Sequence, residues 1–429
     1  MNYGIRNMEL SRAYKFRLYP DAKRQREIDE RLILAQQFYN KILEKSIASY
    51  KNGETKVSMA QFNRFVREII KEDKRYLKLY SQTRCEIEFR LLKAYKNFFR
   101  RATEKKKGRR IKVGFPRFKS RDRYDSLTYP QDNGAFSMKK DRLRVSRIGT
   151  MRIELHRSIE GKVKTMIIKR EVKNYYAIFT AINEVKIPEV KDTNPVGIDL
   201  GLNNFIALSD GKTIQKPKFF KKKAKSIAKW QRIVARRTKW QGRKKAEKQS
   251  KRREDAKAHL SQEWANVTNQ SNDFAHKLAD WLINSGYTSF AVERLEINNM
   301  VKNHNLAQSI YNASWRKFID FLLYKAESAG MRMVKVDPID TTQECSSCHN
   351  VKRGKEKPTL KDRVYNCFVC GLVTDRDINT SINIPNRARE GHSRSHAQGD
   401  TTSAVQHALK SRVDELRTVK NIFSGAVHV

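Results

Sequence analysis

Two closely spaced cysteine pairs constrain this chain more than any other feature of its sequence. Cys345 and Cys348 form one Cys-x2-Cys pair, and Cys367 and Cys370 form a second pair after a spacer of ribbon length. This spacing is typical of a zinc ribbon, in which each turn directs both sulfurs at one tetrahedral Zn²⁺. Four protein ligands close the coordination sphere, so the predicted zinc ion is structural. An iron–sulfur cluster and four unrelated buried thiols are the alternatives, and the spacing favours zinc. His349 is interpreted as a neighbour of the first pair rather than a ligand.

The chain carries a large excess of positive charge. It has 90 Lys and Arg against 46 Asp and Glu, which gives a formal net charge of +44 over 429 residues. This excess strains a compact fold by self-repulsion unless a polyanion neutralises it, and nucleic-acid phosphates are the natural polyanion. A hydrophobic content of 39% supports a core, so a disordered basic tail is excluded. A ribosomal or chromatin-like binder shares this charge, which leaves the choice between binder and enzyme open.

The densest basic run covers residues 216–257, which are nearly half Lys and Arg. Apolar residues at helical spacing within it predict a long helix or a helix pair with a thin apolar seam. We expect this run to contact phosphates, and a solvated charged helix is the alternative. Trp230, Trp240 and Tyr124 are candidates for stacking on bases. Helix packing accounts for the two tryptophans equally well.

The sequence has neither a membrane span nor a secretion signal. No apolar run is long enough to cross a bilayer, and residues 1–10 lack the apolar core of a signal peptide. In such a chain, paired cysteines indicate metal binding rather than disulfides. We therefore expect a cytoplasmic protein without a membrane partner.

The first 190 residues predict a β-rich module with a helical insertion. Residues 13–18 alternate apolar and basic side chains as a half-buried strand does, and Pro20 with Asp21 then opens a helix reaching about Tyr50. A second helical region covers residues 59–102. After a basic loop at residues 105–110, short alternating strands fill residues 136–185.

The pattern changes after a linker at residues 186–195. The chain then alternates strands and amphipathic helices, which predicts an α/β domain. The expected elements are a strand at 196–201, a hairpin of 205–208 with 213–214, a helix at 260–282, a strand at 289–293, a helix at 315–330 and a strand at 331–336. Residues past 386 are polar and weakly patterned, although 405–422 has a helical pattern.

Three acidic residues are candidates for a catalytic metal site. In the strand at 196–201, Asp199 shares its face with Gly197 and Gly201, which leaves room for a hydrated ion and a phosphate. Glu293 shares its strand face with small Ala291. A competitor for Glu293 is Glu296, which lies beyond the strand pattern.

The third candidate is Asp377, which opens a helix behind the cysteine pairs. Asp375 is a competitor, and an N-capping role for either residue is the alternative. Three carboxylates on one α/β domain can hold two Mg²⁺, or Mn²⁺, about 4 Å apart for phosphodiester cleavage. The chain has no Walker A loop and no His-rich nuclease motif, so this is the one catalytic constellation that its sequence offers.

An ordered set of segments resembles the TnpB family, the transposon-associated nucleases ancestral to type V CRISPR effectors. The match spans about residues 10–386, and the combination is more specific than any of its parts. Its segments are Tyr14-Lys15-Phe16-Arg17-Leu18-Tyr19-Pro20, Gly114-Phe115-Pro116-Arg117-Phe118-Lys119, Gly197-Ile198-Asp199-Leu200-Gly201, Val292-Glu293-Arg294-Leu295, the cysteine pairs after Asp337-Pro338, and Asp375-Arg376-Asp377-Ile378-Asn379 through Asn383-Ile384.

The resemblance implies a multidomain α+β protein that works as an RNA-guided DNA endonuclease. The expected domains are a wedge-like β-barrel (1–19 and 104–190), a helical recognition insertion (20–103), a RuvC/RNase H-like α/β nuclease domain (196–340 and 374–390), an inserted zinc-binding target-nucleic-acid-binding segment (341–373) and a flexible tail (391–429).

The implied catalytic triad is Asp199, Glu293 and Asp377, with Mg²⁺ or Mn²⁺, and the four paired cysteines are the implied zinc ligands. The implied partners are a guide RNA and double-stranded target DNA, with a short motif recognised beside the target. We expect a monomer with one RNA, nucleoid-associated when bound to DNA. His349 stands where the family usually has Gly, which questions the geometry of that turn, and Thr380 stands where Ala is common. Neither departure touches the triad, so an active enzyme is expected.

Two other functions would fit parts of the sequence. A catalytically idle RNA-guided repressor or zinc-ribbon regulator would use the same charge and cysteines, but the intact set of carboxylates argues against it. A transposase would need strand-joining residues, and the chain offers no tyrosine or His-bearing motif for that role.

Overall fold

The computed structural model describes residues 5–54, 57–130, 134–188, 192–242, 244–245, 249–295, 300, 314–359 and 362–394. The described residues form two compact units. The barrel unit comprises Ile5–Ile187 and Ser226–Trp264, and the mixed-sheet unit comprises Pro188–Lys225 and the described part of Ala265–Val429. None of the helices described is both long and apolar enough to cross a bilayer.

The barrel unit is built on a seven-stranded, nearly closed sheet in the order β2-β6-β7-β1-β5-β4-β3. The first strand in sequence, β1, therefore lies in the middle of the sheet, between β7 and β5. Its pairing with β5 is antiparallel, with Leu18 opposite Ile153. The strands are β1 (Ile5–Tyr19), β2 (Ser126–Tyr129), β3 (Phe136–Lys139), β4 (Arg142–Val145), β5 (Gly149–Glu154), β6 (Lys162–Glu171) and β7 (Asn174–Pro188).

Three helices are inserted between β1 and β2, as predicted. They are α1 (Ala22–Lys51), α2 (Met59–Glu72) and α3 (Ser81–Lys106), with a 3₁₀ turn at Lys74–Lys78. Asp21 caps α1 by accepting a hydrogen bond of 2.7 Å from the backbone N–H of Arg24. The buried face of α1 repeats at helical spacing and joins the sheet and both other helices in one apolar core; it includes Ile28, Leu32, Ala35, Phe38 and Ile42.

A carboxyl group is buried in this helical core. Glu88 on α3 is 2% exposed, and burial raises its pKa to about 7, against a weaker opposing effect of the Arg84 guanidinium. Its Oε2 has no hydrogen-bond partner among the described residues. The neutral acid is therefore the form that this core favours.

We expect Glu88→Gln to flatten the pH dependence of stability. The folded pKa lies above the unfolded value of about 4.3, so the carboxyl stabilises most below pH 4 and this contribution is lost as the pH rises through about 7. Gln has the shape of the neutral acid and does not ionise. At pH 8 the free energy of unfolding of the variant should therefore exceed that of the unaltered protein by up to about 3 kcal/mol. Chemical unfolding of both proteins from pH 5 to 8 measures this. If the free energies of unfolding of the two proteins changed equally with pH, the prediction would be wrong.

The basic run forms a helix pair. Its helices are α4 (Phe219–Arg236) and α5 (Lys251–Ile283), joined through a small hairpin of β11 (Trp240–Gln241) and β12 (Lys244–Lys245). Within the barrel unit, Trp230 stacks on His259 with ring centroids 4.5 Å apart. The helix expected at 260–282 is thus the C-terminal part of one continuous 33-residue helix, because no Gly or Pro interrupts Lys251–Ile283.

The mixed-sheet unit contains a five-stranded sheet in the order β10-β9-β8-β13-β14. Strands β8, β13 and β14 are parallel, whereas β9 and β10 continue the sheet as antiparallel neighbours. The strands are β8 (Pro195–Asp199), β9 (Ile206–Leu208), β10 (Thr213–Ile214), β13 (Ser289–Glu293) and β14 (Arg332–Val336).

Helices cover both faces of this sheet. One face, with Ile198 and Val292, joins the buried side chains of α5 and of α6 (Trp315–Ser328). The other face, with Ala291, receives Ile384 of α7 (Arg376–Arg394). The predicted tail at 391–429 begins inside α7, and the helix expected at 405–422 lies outside the described residues.

Candidate functional site

Asp199 and Glu293 lie side by side at the ends of neighbouring strands. In the parallel pair of β8 and β13, Ala291 is opposite Gly197 and Val292 is opposite Ile198, so Glu293 is next in register to Asp199. Adjacent strands run about 4.8 Å apart. Because alternate residues share a face, both carboxylates lie on the side of the sheet that α7 covers.

Asp377 joins them from the first turn of α7. Its Oδ2 lies 3.7 Å from the position that a Cβ on Gly201 would occupy, immediately after β8. Asp199 is electrostatically close to both other carboxylates, since the negative charges of Glu293 and Asp377 each raise its pKa. The structure thus brings together all three predicted acidic residues.

Asp375, the alternative to Asp377 as a site residue, has a different role in the structure. Asp375 is the last residue of a short strand, Val373–Asp375. It caps α7, because its Oδ1 accepts hydrogen bonds from the backbone N–H groups of Asp377, at 2.8 Å, and of Ile378, at 3.2 Å. The N-capping role therefore falls to Asp375, and the Asp377 side chain is left to face the site. Glu296 lies outside the described residues.

The site concentrates negative charge in a sheltered place. Burial, and then the neighbouring carboxylates, raise the pKa of Asp199 well above its usual value. Burial also raises the pKa of Glu293, while hydrogen bonding to Thr341 and the charge of Arg387 oppose that shift. Carboxylates held together against repulsion are stabilised by a cation, and hard oxygen donors suit Mg²⁺ or Mn²⁺.

The carboxylate oxygens of the three acids are spread more widely than the four cysteine sulfurs. Among the described Cys, His, Asp and Glu side chains, only the cysteine cluster has all its ligand atoms within 4.8 Å of one another. The three acids are therefore spread more widely than a single shared ion requires. Both other carboxylates raise the pKa of Asp199, which makes it the central carboxylate of the set.

The glycines beside Asp199 serve packing, not access for a metal and a phosphate as the sequence predicted. A Cβ on Gly197 would lie 2.0 Å from the carbonyl oxygen of Ser381 and 2.5 Å from Cδ of Pro385, both on α7. A Cβ on Gly201 would lie 2.7 Å from the carbonyl oxygen of Asn204. The space is therefore filled by α7 on one side and by the turn after β8 on the other.

The four paired cysteines converge on one point. The Sγ atoms of Cys345 and Cys370 are 3.6 Å apart, those of Cys348 and Cys367 are 3.5 Å apart, and all four lie within 4.8 Å of one another. Zn–S bonds of about 2.3 Å in a tetrahedron place sulfurs about 3.8 Å apart. The cluster is thus compatible with a zinc site.

The two cysteine turns have the same backbone hydrogen bonds. The N–H of Cys345 donates to the carbonyl of Asn350 and that of His349 donates back to Cys345; likewise Cys367 donates to Leu372 and Gly371 donates to Cys367. His349 and Gly371 occupy the equivalent left-handed position, with φ of 59° and 73°. The turn is therefore kept despite the His, whose ring contacts Glu344 at 2.8 Å from Nδ1 to Oε1.

We expect His349→Gly to bind zinc more tightly than His349→Ala. Both variants lose the ring contact with Glu344, but only Gly adopts the φ of 59° without the steric cost of a Cβ. The difference should be about 1 kcal/mol, or roughly fivefold in zinc dissociation constant. Competition with a chromogenic chelator measures it. Equal affinities of the two variants would show that the left-handed backbone carries no cost here.

Four polar residues around the carboxylates were assigned no role from the sequence. Thr341 is 1% exposed and its hydroxyl donates to Oε1 of Glu293. Asn379, Asn383 and Arg387 of α7 bind the segment that begins at Thr341. The sequence signal that could have identified the three residues of α7 is their spacing of four, which places polar side chains on one side of a largely buried helix.

The basic helix pair presents a cationic surface. The described stretch of α4 carries seven Lys and Arg and no Asp or Glu. Of the three aromatic candidates, Trp230 packs on His259, Trp240 is 61% exposed and Tyr124 is buried, with its hydroxyl pKa raised by burial to about 12. The exposed cations of α4 are Lys221, Lys222, Lys225, Lys229, Arg232 and Arg236.

Three family models match separate parts of the chain. Residues 178–304 match OrfB_IS605, described as "Probable transposase", and residues 8–55 match HTH_OrfB_IS605, described as "Helix-turn-helix domain". Residues 315–384 match the Cas12f1-like TNB domain. In the structure, residues 8–55 form most of β1 and all of α1, so a strand and one helix occupy the segment with the helix-turn-helix description.

Relatives match along most of the chain. A Streptomyces pristinaespiralis protein named "Putative RNA-guided DNA endonuclease" is 29% identical over 88% of this chain and 89% of its own length. InsQ of Escherichia coli (strain K12), which has the same name, is 26% identical over 68% of this chain and 71% of its own length. The fold is similar to that of Cas12f1 in a complex with sgRNA and target DNA, with a TM-score of 0.53, 12% identity and coverage of 89% of this chain and 99% of that one. These comparisons confirm the resemblance to the TnpB family that the sequence indicated.

Proposed function

We propose that this protein is an RNA-guided DNA endonuclease that hydrolyses target DNA at a RuvC-like site formed by Asp199, Glu293 and Asp377. The observation that carries the proposal is the meeting of three carboxylates, from β8, β13 and α7, on one sheet face. The mixed five-stranded sheet with helices on both faces supports a RuvC/RNase H-like domain of residues 196–340 and 374–390. The names of the relatives support RNA guidance and DNA as the substrate.

The three carboxylates would hold two divalent ions, Mg²⁺ or Mn²⁺. When bound, such ions supply an activated water and charge stabilisation for the leaving 3′-oxygen. The residues of the chain supply the ligands. Asp199, Glu293 and Asp377 would supply the carboxylate oxygens that hold the ions. Their shelter from water strengthens every electrostatic interaction in the site.

The remaining domain assignments follow from the same proposal. The barrel of residues 1–19 and 104–190, with the helices of residues 20–103, would bind the guide RNA and read the motif beside the target by shape and direct contact. The cations of α4 would contact phosphates. The segment 341–373 would hold one structural Zn²⁺ through Cys345, Cys348, Cys367 and Cys370 and bind target nucleic acid. One chain with one RNA is the proposed working form.

Sequencing the RNA that copurifies with the full chain tests guidance. We expect a discrete species with a constant scaffold and a variable end. That complex, given Mg²⁺ and a plasmid library with randomised flanks beside a matched target, should linearise only plasmids with one short flanking motif. A heterogeneous RNA pool would contradict guidance. Binding of matched DNA without cutting would instead favour the regulator, the second function that the same fold could support.

A further inference from the structure

Thr341 is placed to control one carboxylate of the proposed site. It lies five residues after β14, between the sheet and the first cysteine turn, and is 1% exposed. Its Oγ1 is in hydrogen-bond contact with Oε1 of Glu293 and lies 3.1 Å from the carbonyl oxygen of Pro338. A hydroxyl has a single proton, and a charged acceptor makes the stronger bond. Donation to the carboxylate is therefore favoured whenever Glu293 is ionised.

The backbone of Thr341 is itself fixed by α7. The side-chain amide of Asn383 donates 3.0 Å to the carbonyl of Thr341 and 2.8 Å to that of Glu344. Asn379 donates 2.7 Å to the same Glu344 carbonyl and accepts from the N–H of Ser346 at 2.9 Å. Asn379 and Asn383 are almost completely buried, so these bonds do not compete with water.

Arg387 extends this row by one more helical repeat. Its guanidinium donates to Oε2 of Glu344 at 2.6 Å from Nη2 and 3.2 Å from Nε, and also contacts the carbonyl of Ile339. Three α7 side chains spaced four residues apart thus hold residues 339–346, a segment that includes the first zinc-ligand candidate, Cys345. The same helix carries Asp377 in its first turn. One rigid element therefore presents one carboxylate and holds the residue that orients another.

We propose that Thr341 is a positioning residue: its hydroxyl fixes one oxygen of Glu293 so that the other is presented to a divalent ion beside Asp199. This inference rests on the proposed function and adds a residue to it. Hydrogen bonds to ligating carboxylates typically change metal affinity or activity by 10–100-fold. Thr341→Val keeps the shape and removes the donor, so it should weaken divalent-ion binding by about 10–100-fold, whereas Thr341→Ser keeps the donor and should stay within about threefold of the unaltered protein.

The test measures Mn²⁺ binding to the full chain, freed of RNA, by the electron paramagnetic resonance signal of free Mn²⁺. Zinc content and the Mg²⁺ midpoint of cleavage by the reconstituted complex are measured alongside. The matched control is Thr380→Val, because Thr380 is also 1% exposed but donates to the carbonyl of Arg376 in its own helix at 2.9 Å. We expect weaker Mn²⁺ binding and a higher Mg²⁺ midpoint only for Thr341→Val, with one zinc per chain in every variant.

Four outcomes would overturn the proposal. Unchanged Mn²⁺ affinity in Thr341→Val would show that the hydroxyl does not position a ligand. Equal losses in Thr341→Val and Thr341→Ser would assign the effect to packing. If Thr341→Val loses zinc, Thr341→Ala is tested in its place. The inference fails unless Thr341→Ala retains zinc and shows the expected loss of Mn²⁺ affinity. If the unaltered protein binds no Mn²⁺ and cuts no DNA, the proposed function is wrong as well. The first two outcomes, in contrast, contradict only the role of Thr341.

Discussion

Asp199→Asn is expected to abolish DNA cleavage while leaving guide RNA and target binding unchanged. Asn preserves the shape but removes the charge at the central position of the three carboxylates. Loss of one carboxylate ligand to the proposed catalytic ions should cost at least about 4 kcal/mol of transition-state stabilisation, or roughly 10³-fold in rate. Single-turnover cleavage of a matched plasmid measures the rate, and a filter or gel assay without Mg²⁺ measures binding.

Asp375 and Asp377 provide a matched pair of controls for this result. Asp377→Asn should match Asp199→Asn, whereas Asp375→Asn retains an N-cap of similar quality and should keep most of the activity. Normal cleavage by the Asp199→Asn protein would contradict the assigned site. So would a chain that tolerates Asp377→Asn but loses cleavage with Asp375→Asn.

The same substitution of Asp199 should stabilise the protein when no divalent ion is present. The folded-state pKa of Asp199 is raised, so ionising this carboxyl costs folding free energy as the pH rises above its unfolded value of about 3.9. Asn removes that cost at neutral pH. A higher melting temperature of Asp199→Asn in chelator, lost when Mg²⁺ is added to both proteins, is the expected signature of a site that holds like charges for a ligand.

Loss of zinc is expected to unfold the cysteine segment and stop cleavage. The apolar core there is one small cluster, in which the buried Tyr365 packs with Cys345 and Cys367. So few buried groups cannot offset the entropy of ordering the segment, and structural zinc contributes about 10–16 kcal/mol in comparable small modules. Cys367→Ser should therefore lose zinc, expose residues 341–373 to proteases and lower cleavage to background.

Cys85→Ser is the matched control for the zinc experiment. Cys85 lies on α3 in the barrel unit, where burial raises the pKa of its thiol to about 11 and makes it a poor metal ligand. This variant should keep one zinc per chain and full activity. Full activity of a zinc-free Cys367→Ser protein would show that the segment folds or functions without metal.

Much of the geometry around the carboxylates could be predicted from the sequence because strand parity is simple. Alternation along β8 puts Ile198 on one face and Asp199 on the other, and the structure has this arrangement. The strand expected at 196–201 is found at Pro195–Asp199, and the hairpin of 205–208 with 213–214 is likewise present. Local patterns determine these features, so one sequence is sufficient to find them.

Features that depend on distant contacts were missed or misread. Gly197 looked like space for a ligand because nothing local indicates that Ser381 of α7 crosses there. The choice between Asp375 and Asp377 also needed coordinates, since the sequence left open whether the helix begins directly after Asp375 or directly after Asp377. The sequence could not show that Asn383 reaches Thr341, 42 positions away, because hydrogen bonds between segments leave no periodic signal.

The central place of β1 in the barrel sheet has a consequence for synthesis of the protein on the ribosome. Arg17 of β1 pairs with Glu154 of β5. The ribosome therefore adds 137 residues after Arg17 before its partner in β5 has been synthesised. At 5–20 residues per second this delay is roughly 7–27 s. Throughout that time both edges of a long strand are open to other chains, and its alternating cations, such as Lys15 and Arg17, provide the charge repulsion that keeps nascent copies apart.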